Sequence, residues 1–182
     1  MRAGRLETPA DLLALGPDLQ AQYLDWLWVG IRAKDAVDAP LAAGLRSPAK
    51  VEVRAWWDER LLQGRYLRTE GRLLILDGVR DVIGQQAEVV MTATELMGEP
   101  GEYRPDDGSP RPARIFLRHI SPFVDENDRL TDYRLQAEVA LVETGRVQLG
   151  EQLVIGGCVY NVIGYVDGSD DGVVRSLWLE AQ

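Results

Sequence analysis

One cysteine and one histidine are all that the 182 residues offer to soft-metal or nucleophilic chemistry. Cys158 alone excludes an internal disulfide. With His119 it falls short of the three or four ligands of a zinc site. A nucleophile–base dyad usually draws on histidine. His119 stands in the strand-like run from Ile115 to Ile120, where a half-exposed structural role is the better reading. No Gly-x-Ser-x-Gly elbow is present, and neither a Walker-type nor a dinucleotide-binding glycine loop occurs. No apolar stretch reaches the length of a bilayer span. Met1 to Leu6 has no apolar run behind it, so no signal peptide is expected and synthesis is placed in the cytoplasm. Only two of the 20 basic residues are lysines, Lys34 and Lys50. Against 29 acidic residues they leave a formal net charge of −9, which disfavours a broad basic face for nucleic acid. These absences point away from an enzyme, and no catalytic residue, cofactor or metal is expected.

What is present reads mainly as short strands. Thr8-Pro9-Ala10-Asp11 has the form of a helix start, with a capping Thr and Pro at the first turn, and Asp18 to Leu24 allows one or two more helical turns. Asp25 to Ala33 is rich in aromatic and β-branched residues and predicts a strand. Val51 to Trp56 alternates apolar and polar residues as a half-buried strand does. Arg72–Leu76 and Val79–Ile83 flank Asp77-Gly78, a strong hairpin signal because both turn positions favour positive φ. Glu88–Thr94, Ala113–Ile120, Leu135–Val142 and Val173–Leu179 read as further strands. Leu153–Ile155 and Val159–Ile163 form a second hairpin around Gly156-Gly157, and Cys158 reads there as a small buried residue. Met97 to Pro112 is dense in Pro and Gly, the composition of a linker or long surface loop.

The chain also resembles itself. Gly71–Gly84 aligned without gaps on Glu151–Gly164 gives six identities in fourteen positions, where roughly one is expected by chance. The expected fold is all-β: two small β-barrel-like units in tandem behind a short helical or irregular N-terminal segment. The first unit spans residues 1–96, the Pro/Gly-rich linker 97–112 and the second unit 113–182. This alignment predicts that Ile75 matches Ile155, that Val82 matches Val162, and that all four are buried.

Two acidic clusters, Asp125-Glu-Asn-Asp128 and Asp167-x-x-Asp170-Asp171, lack the spacing of a calcium loop and read as solvated loops. Nothing fixes a separation between carboxylates for glycoside hydrolysis. The five tryptophans suit either base or sugar stacking or the core of small barrels. Trp56 and Trp57 are adjacent, so within a strand one points in and the other out, and the outward one is an interface candidate. Ser121 to Asp132 reads as an arm that orders on binding, with Phe123, Val124, Asp125, Asp128 and Arg129 as its contact residues. Tyr103, in the extended Pro/Gly-rich stretch, completes the set of interface candidates.

Two groups of residues carry a family resemblance. Met1-Arg-Ala-Gly-Arg-Leu6 followed by Leu27–Arg32 resembles the opening of phage head–tail joining proteins, the head-closure or stopper and adaptor family. Arg72–Val82 is similar to that family's closing hairpin, and so is Val147–Val162 with the Asp-Asp-Gly turn and the final strand. Gly98–Pro105, continuing through Pro112–Phe116, resembles the start of a second such unit. The resemblance covers most of the chain in two pieces, whereas family members are usually one barrel. It implies a structural ring subunit of the virion neck, made in the host cytoplasm. Its partners would be a portal or adaptor protein above and a tail terminator or tail tube below. Copies of itself would form the ring, with twelve favoured over six. The ring would enclose DNA without sequence-specific binding, and no membrane is involved. An acidic conduit suits this role because like charge prevents adhesion to phosphate. The isolated chain is expected to be largely monomeric. Another virion β-module, of tail or baseplate, is the alternative; an enzyme using the acidic loops ranks below it.

Overall fold

A computed structural model describes residues 5–33, 42–120 and 134–182. The chain divides into two compact units, Met1–Met97 and Gly98–Gln182. Each is a closed six-stranded antiparallel barrel. The first contains β1 (Thr8–Leu15), β2 (Ala21–Ala33), β3 (Arg46–Trp56), β4 (Tyr66–Thr69), β5 (Arg72–Asp81) and β6 (Glu88–Leu96). They close in the order β1-β2-β3-β6-β5-β4. The second contains β7 (Glu99–Arg104), β8 (Arg111–Ile120), β9 (Arg134–Ala140), β10 (Gln152–Ile155), β11 (Cys158–Tyr165) and β12 (Val174–Ala181). Its order, β7-β8-β9-β12-β11-β10, is the same topology strand for strand. A single helical turn, α1 (Leu141–Thr144), follows β9.

Alternation fills each barrel. Along β2, Leu27, Val29 and Ile31 face the interior, where they meet Leu12, Val53, Leu67, Leu74 and Met91. In the second barrel Tyr103, Ile115, Val139, Leu153, Val162 and Leu177 play the same part. Leu61, from the connection between β3 and β4, is buried in the first core. Val147, from the matching connection, is buried in the second.

The registers show the duplication in detail. The β4–β5 hairpin pairs Tyr66 with Ile75 and Thr69 with Arg72. The β10–β11 hairpin pairs Gln152 with Asn161 and Ile155 with Cys158. Equivalent residues in this region therefore lie 86 positions apart. Gly64 and Gly150 are equivalent, with φ of 83° and 92°. Each donates its N–H at 2.8 Å, to the carbonyls of Leu76 and Val162, which are themselves equivalent. Both barrels carry a β-bulge at the same place, between Leu76 and Gly78 in β5 and between Val162 and Gly164 in β11. The repeat seen in the sequence lies six residues out of this register. Asp77-Gly78 is not a turn: β5 runs straight through it with a bulge, and the true turn is Glu70-Gly71, where Gly71 has φ of 74°. Val82 is accordingly no counterpart of the buried Val162, and it is 69% exposed. Ile75 and Ile155 are both buried, yet they occupy different strands. The fold class stands, and the alignment that first pointed to it is a coincidence of apolar patterning.

Other expectations are corrected. Thr8–Leu15 is strand, not helix. A register shift between Leu12 and Leu13 interrupts its alternation, which hides the period. Residues 97–112 are not a linker, since they hold β7 and the start of β8. Their glycines mark close backbone approach rather than slack. A Cβ on Gly101 would lie 2.7 Å from the Val154 carbonyl oxygen, and one on Gly98 would lie 2.8 Å from the Ile115 nitrogen. Cys158 starts β11 beside the hairpin turn and is exposed rather than buried.

Candidate interaction surface

Because Leu27, Val29 and Ile31 face inward, Trp26 and Trp28 face outward on β2. Their rings meet edge to face at a centroid distance of 5.1 Å and an interplanar angle of 73°. On the neighbouring β3, Ala55 faces inward beside Val29, so Trp56 faces outward beside Trp28. Trp56 is 68% exposed. Leu6, Glu7, Trp28 and Trp56 line a shallow groove of about 390 Å³. On the other side of the tryptophan pair, Pro9, Asp11, Trp26, Arg68 and Glu70 line a second of about 320 Å³. Asp11 accepts hydrogen bonds from the Arg68 guanidinium at 3.0 and 3.3 Å. Arg60 bonds both Asp58 and Asp25, tying the β3–β4 connection to β2 below the aromatics. That contact holds the Asp58 carboxyl below its ordinary range.

Trp57 also points outward, so neither of the adjacent tryptophans fills the core. It follows the end of β3, and its backbone N–H bonds the Ala87 carbonyl at 3.0 Å. Tyr103, expected at an interface, is instead a core residue: its ring is buried and its hydroxyl donates to Glu151 at 2.6 Å. The burial arises because β7 is a barrel strand and Tyr103 stands opposite Leu153 on β10. Phe123, Val124, Asp125, Asp128 and Arg129 lie outside the described residues. Trp26 and Trp28 were not among the interface candidates, although the apolar alternation at Leu27, Val29 and Ile31 was the signal that would have found them.

The acidic residues after β11 serve their own turn. Asp171 accepts from the backbone of Val173 and Val174, both at 2.9 Å, and Asp170 pairs with Arg175 at 2.9 Å. Among the described residues no group of three or more His, Cys, Asp or Glu is placed to hold a metal ion. His119 is exposed on β8. No described helix is long and apolar enough to cross a membrane.

Asp81 organises the turn after β5, next to the exposed Val82 and Ile83. Its carboxylate accepts from the backbone of Gln86 and Gly84 at 2.8 Å and of Ile83 at 3.2 Å. These donors, that of Gln86 foremost, hold its pKa below the ordinary 3.8. A depressed carboxyl pKa favours the ordered turn above the unfolded value, and the contribution is lost as pH falls through the folded value. The amide resonances of Ile83, Gly84 and Gln86 should therefore titrate together with a midpoint below that of a free aspartate, and Asp81→Asn should abolish the titration. A midpoint at or above the free value would show that the carboxylate does not hold the turn.

The second barrel has a different surface. Arg134, Leu135, Ile163, Trp178, Leu179 and Glu180 line a recess of about 380 Å³. The Arg134 guanidinium stands 5.6 Å from the centroid of the Trp178 ring, and Ile163, the bulged residue of β11, is 55% exposed. Comparison with protein-family models, curated proteins and solved structures gives no match to this chain.

Proposed function

We propose that the chain is a structural ring subunit of a tailed-phage neck, joining the portal or adaptor to the tail and surrounding the DNA path. The observation that carries this reading is the pair of barrels with matching topology and register, one of them presenting an outward tryptophan face. Outward tryptophans meeting edge to face on a barrel strand suit protein contact, since tryptophan is enriched where binding energy concentrates. The resemblance to head–tail joining proteins runs through both barrels and supplies the setting. The likeness to that family's closing hairpin is carried by Val147–Val162, which covers the β10–β11 hairpin, and not by Arg72–Val82, which lies on the single strand β5. Charge supports a conduit: residues 98–182 hold 15 acidic against 8 basic side chains, and residues 1–97 hold 14 against 12. An acidic wall does not bind phosphate. Twelve copies are favoured over six, since the two barrels differ too much to occupy equivalent places.

A nonsense codon in the gene of the encoding phage tests this. The expected result is DNA-packaged or leaking heads and separate tails, with joined particles restored by the chain supplied in trans. Joined, infectious particles without the chain would overturn the reading. So would an antibody against it that labels the tail tip and leaves the neck bare.

A further inference from the structure

We infer that copies of this chain meet head to tail, the Trp26–Trp28–Trp56 face of one first barrel seating in the Ile163–Trp178 recess of the next copy's second barrel. The inference rests on the reading of the chain as an assembly subunit, and names the contact between neighbours.

The argument comes from how the two barrels have diverged at equivalent places. By the strand registers, the second barrel's counterparts of Trp26, Trp28 and Trp56 are Pro112, Arg114 and Ala140. There the face is closed over. Glu143, from α1, accepts from the Arg114 backbone and guanidinium, both at 2.9 Å, and Ala140 is fully buried. The second barrel thus has no aromatic face at that position. Conversely, the first barrel's counterparts of Arg134, Ile163 and Glu180 are Lys50, Asp77 and Thr94. There the recess is replaced by a polar network. Asp77 accepts from Lys50 at 3.0 Å and from Thr94 at 2.7 Å, and Lys50 also bonds Thr94. Each barrel presents an apolar patch where its sister is closed or polar. One patch projects aromatic rings and the other is a recess with an aliphatic and an aromatic lining.

Two unlike patches on one chain allow a head-to-tail contact, which closes into rings or extends as filaments, whereas the same two patches used reciprocally would close a two-fold dimer. Each patch carries charge of both signs at its rim: Arg134 and Glu180 at the recess, and Glu7, Asp11, Arg68 and Glu70 beside the tryptophans. The guanidinium over Trp178 also places a cation at the recess, and cation–π contacts favour tryptophan. The area is modest. Three or four half-exposed aromatics of about 150–250 Å² each supply on the order of 300–500 Å². A stable interface takes about 800 Å² per partner. The contact is therefore weak in the isolated protein and is completed when a further partner aligns the copies.

Disulfide trapping tests this in the full chain. Cys158→Ser removes the native thiol, and Trp56→Cys with Ile163→Cys places one thiol on each patch, both at exposed positions. Under copper–phenanthroline oxidation at high protein concentration, this pair should yield a ladder of covalent multimers. It should form about tenfold or more faster than the control pair of Trp56→Cys with Leu149→Cys, because a formed contact raises the local thiol concentration. Equal rates for the two pairs would overturn the inference. So would an internal bridge or a covalent dimer without a ladder, or dimers from Trp56→Cys alone forming as fast as the ladder. The experiment uses no phage, so it separates the two readings. A ladder with normal virions from the nonsense mutant would leave the contact standing and remove the neck. No ladder with unjoined heads would do the reverse.

Discussion

Truncation of Leu67 or of Leu153 to alanine is expected to cost similar amounts, about 2–5 kcal/mol each. The two leucines hold the same place, four residues before the second residue of a two-residue hairpin turn, and both are fully buried. Leu67 stands opposite Leu12 across β1, and Leu153 opposite Tyr103 across β7. Each loses the same methylenes into a core of similar size, so the residual cavities should be alike. In a barrel of this length such losses lower the melting point by on the order of 8–40 °C. The effects should also be local, because each unit has its own core. Hydrogen exchange followed by mass spectrometry resolves this: Leu67→Ala should raise exchange in the strands of residues 8–96, and Leu153→Ala in those of residues 99–181. A Leu67 substitution that costs almost nothing would break the claimed equivalence. Equal acceleration of both halves by either substitution would show that the two barrels unfold as one.

How much of this was legible beforehand depends on the kind of signal. Clean alternation marks Glu88–Thr94, within two residues of β6, and Val51–Trp56, the second half of β3, which starts five residues earlier at Arg46, because one buried face imposes a period of two. The Gly156-Gly157 hairpin was equally plain, with both residues at positive φ. Asp77-Gly78 misled because the same dipeptide chemistry that makes a turn also makes a bulge, where one strand carries an extra residue. Gly78 meets no atom that a Cβ would strike, so the local sequence alone does not separate the two outcomes. β7 was missed for a related reason. Its Pro and Gly read as slack, and only tertiary contact shows that Gly101 is required by the approach of Val154. The aromatic face was half legible. The inward set Leu27, Val29 and Ile31 on β2 fixes Trp26 and Trp28 as outward, whereas residue type alone suits them equally to stacking or to a core. Tyr103 was misplaced together with its strand. Divergence between equivalent positions, on which the proposed contact rests, is defined by the strand registers and not by local sequence.

The buried pair of Tyr103 and Glu151 should behave as one unit whose loss is confined to the second barrel. The phenol donates to Glu151 at 2.6 Å, and the same carboxylate oxygen accepts from the backbone N–H of Gln148. Glu151 therefore joins β7 to the connection that leads into β10, and both side chains are almost wholly buried. Tyr103→Phe removes a donor and leaves a buried carboxylate short of a partner, at about 1–3 kcal/mol. Glu151→Leu strands both the phenol and the Gln148 N–H, and is expected to cost at least as much. The double variant should lose less than the sum, since the second change removes a group that the first has already left unpaired. Additive losses would mean that the hydrogen bond contributes nothing beyond packing. An independent check comes from alkaline titration. Burial first, and then the bond to Glu151, raise the Tyr103 pKa well above its ordinary 10. A phenol whose folded pKa is raised stabilises the fold fully below the unfolded value, and the contribution is lost as pH rises through the folded value. Tyrosinate absorbance should therefore show Tyr103 silent while an exposed phenol ionises, then appearing abruptly as the second barrel unfolds. In Tyr103→Phe that late step should be absent and alkaline unfolding of residues 98–182 should lose its dependence on it. Ionisation of Tyr103 near pH 10 in the intact protein would place its hydroxyl in water and remove the pair from the core.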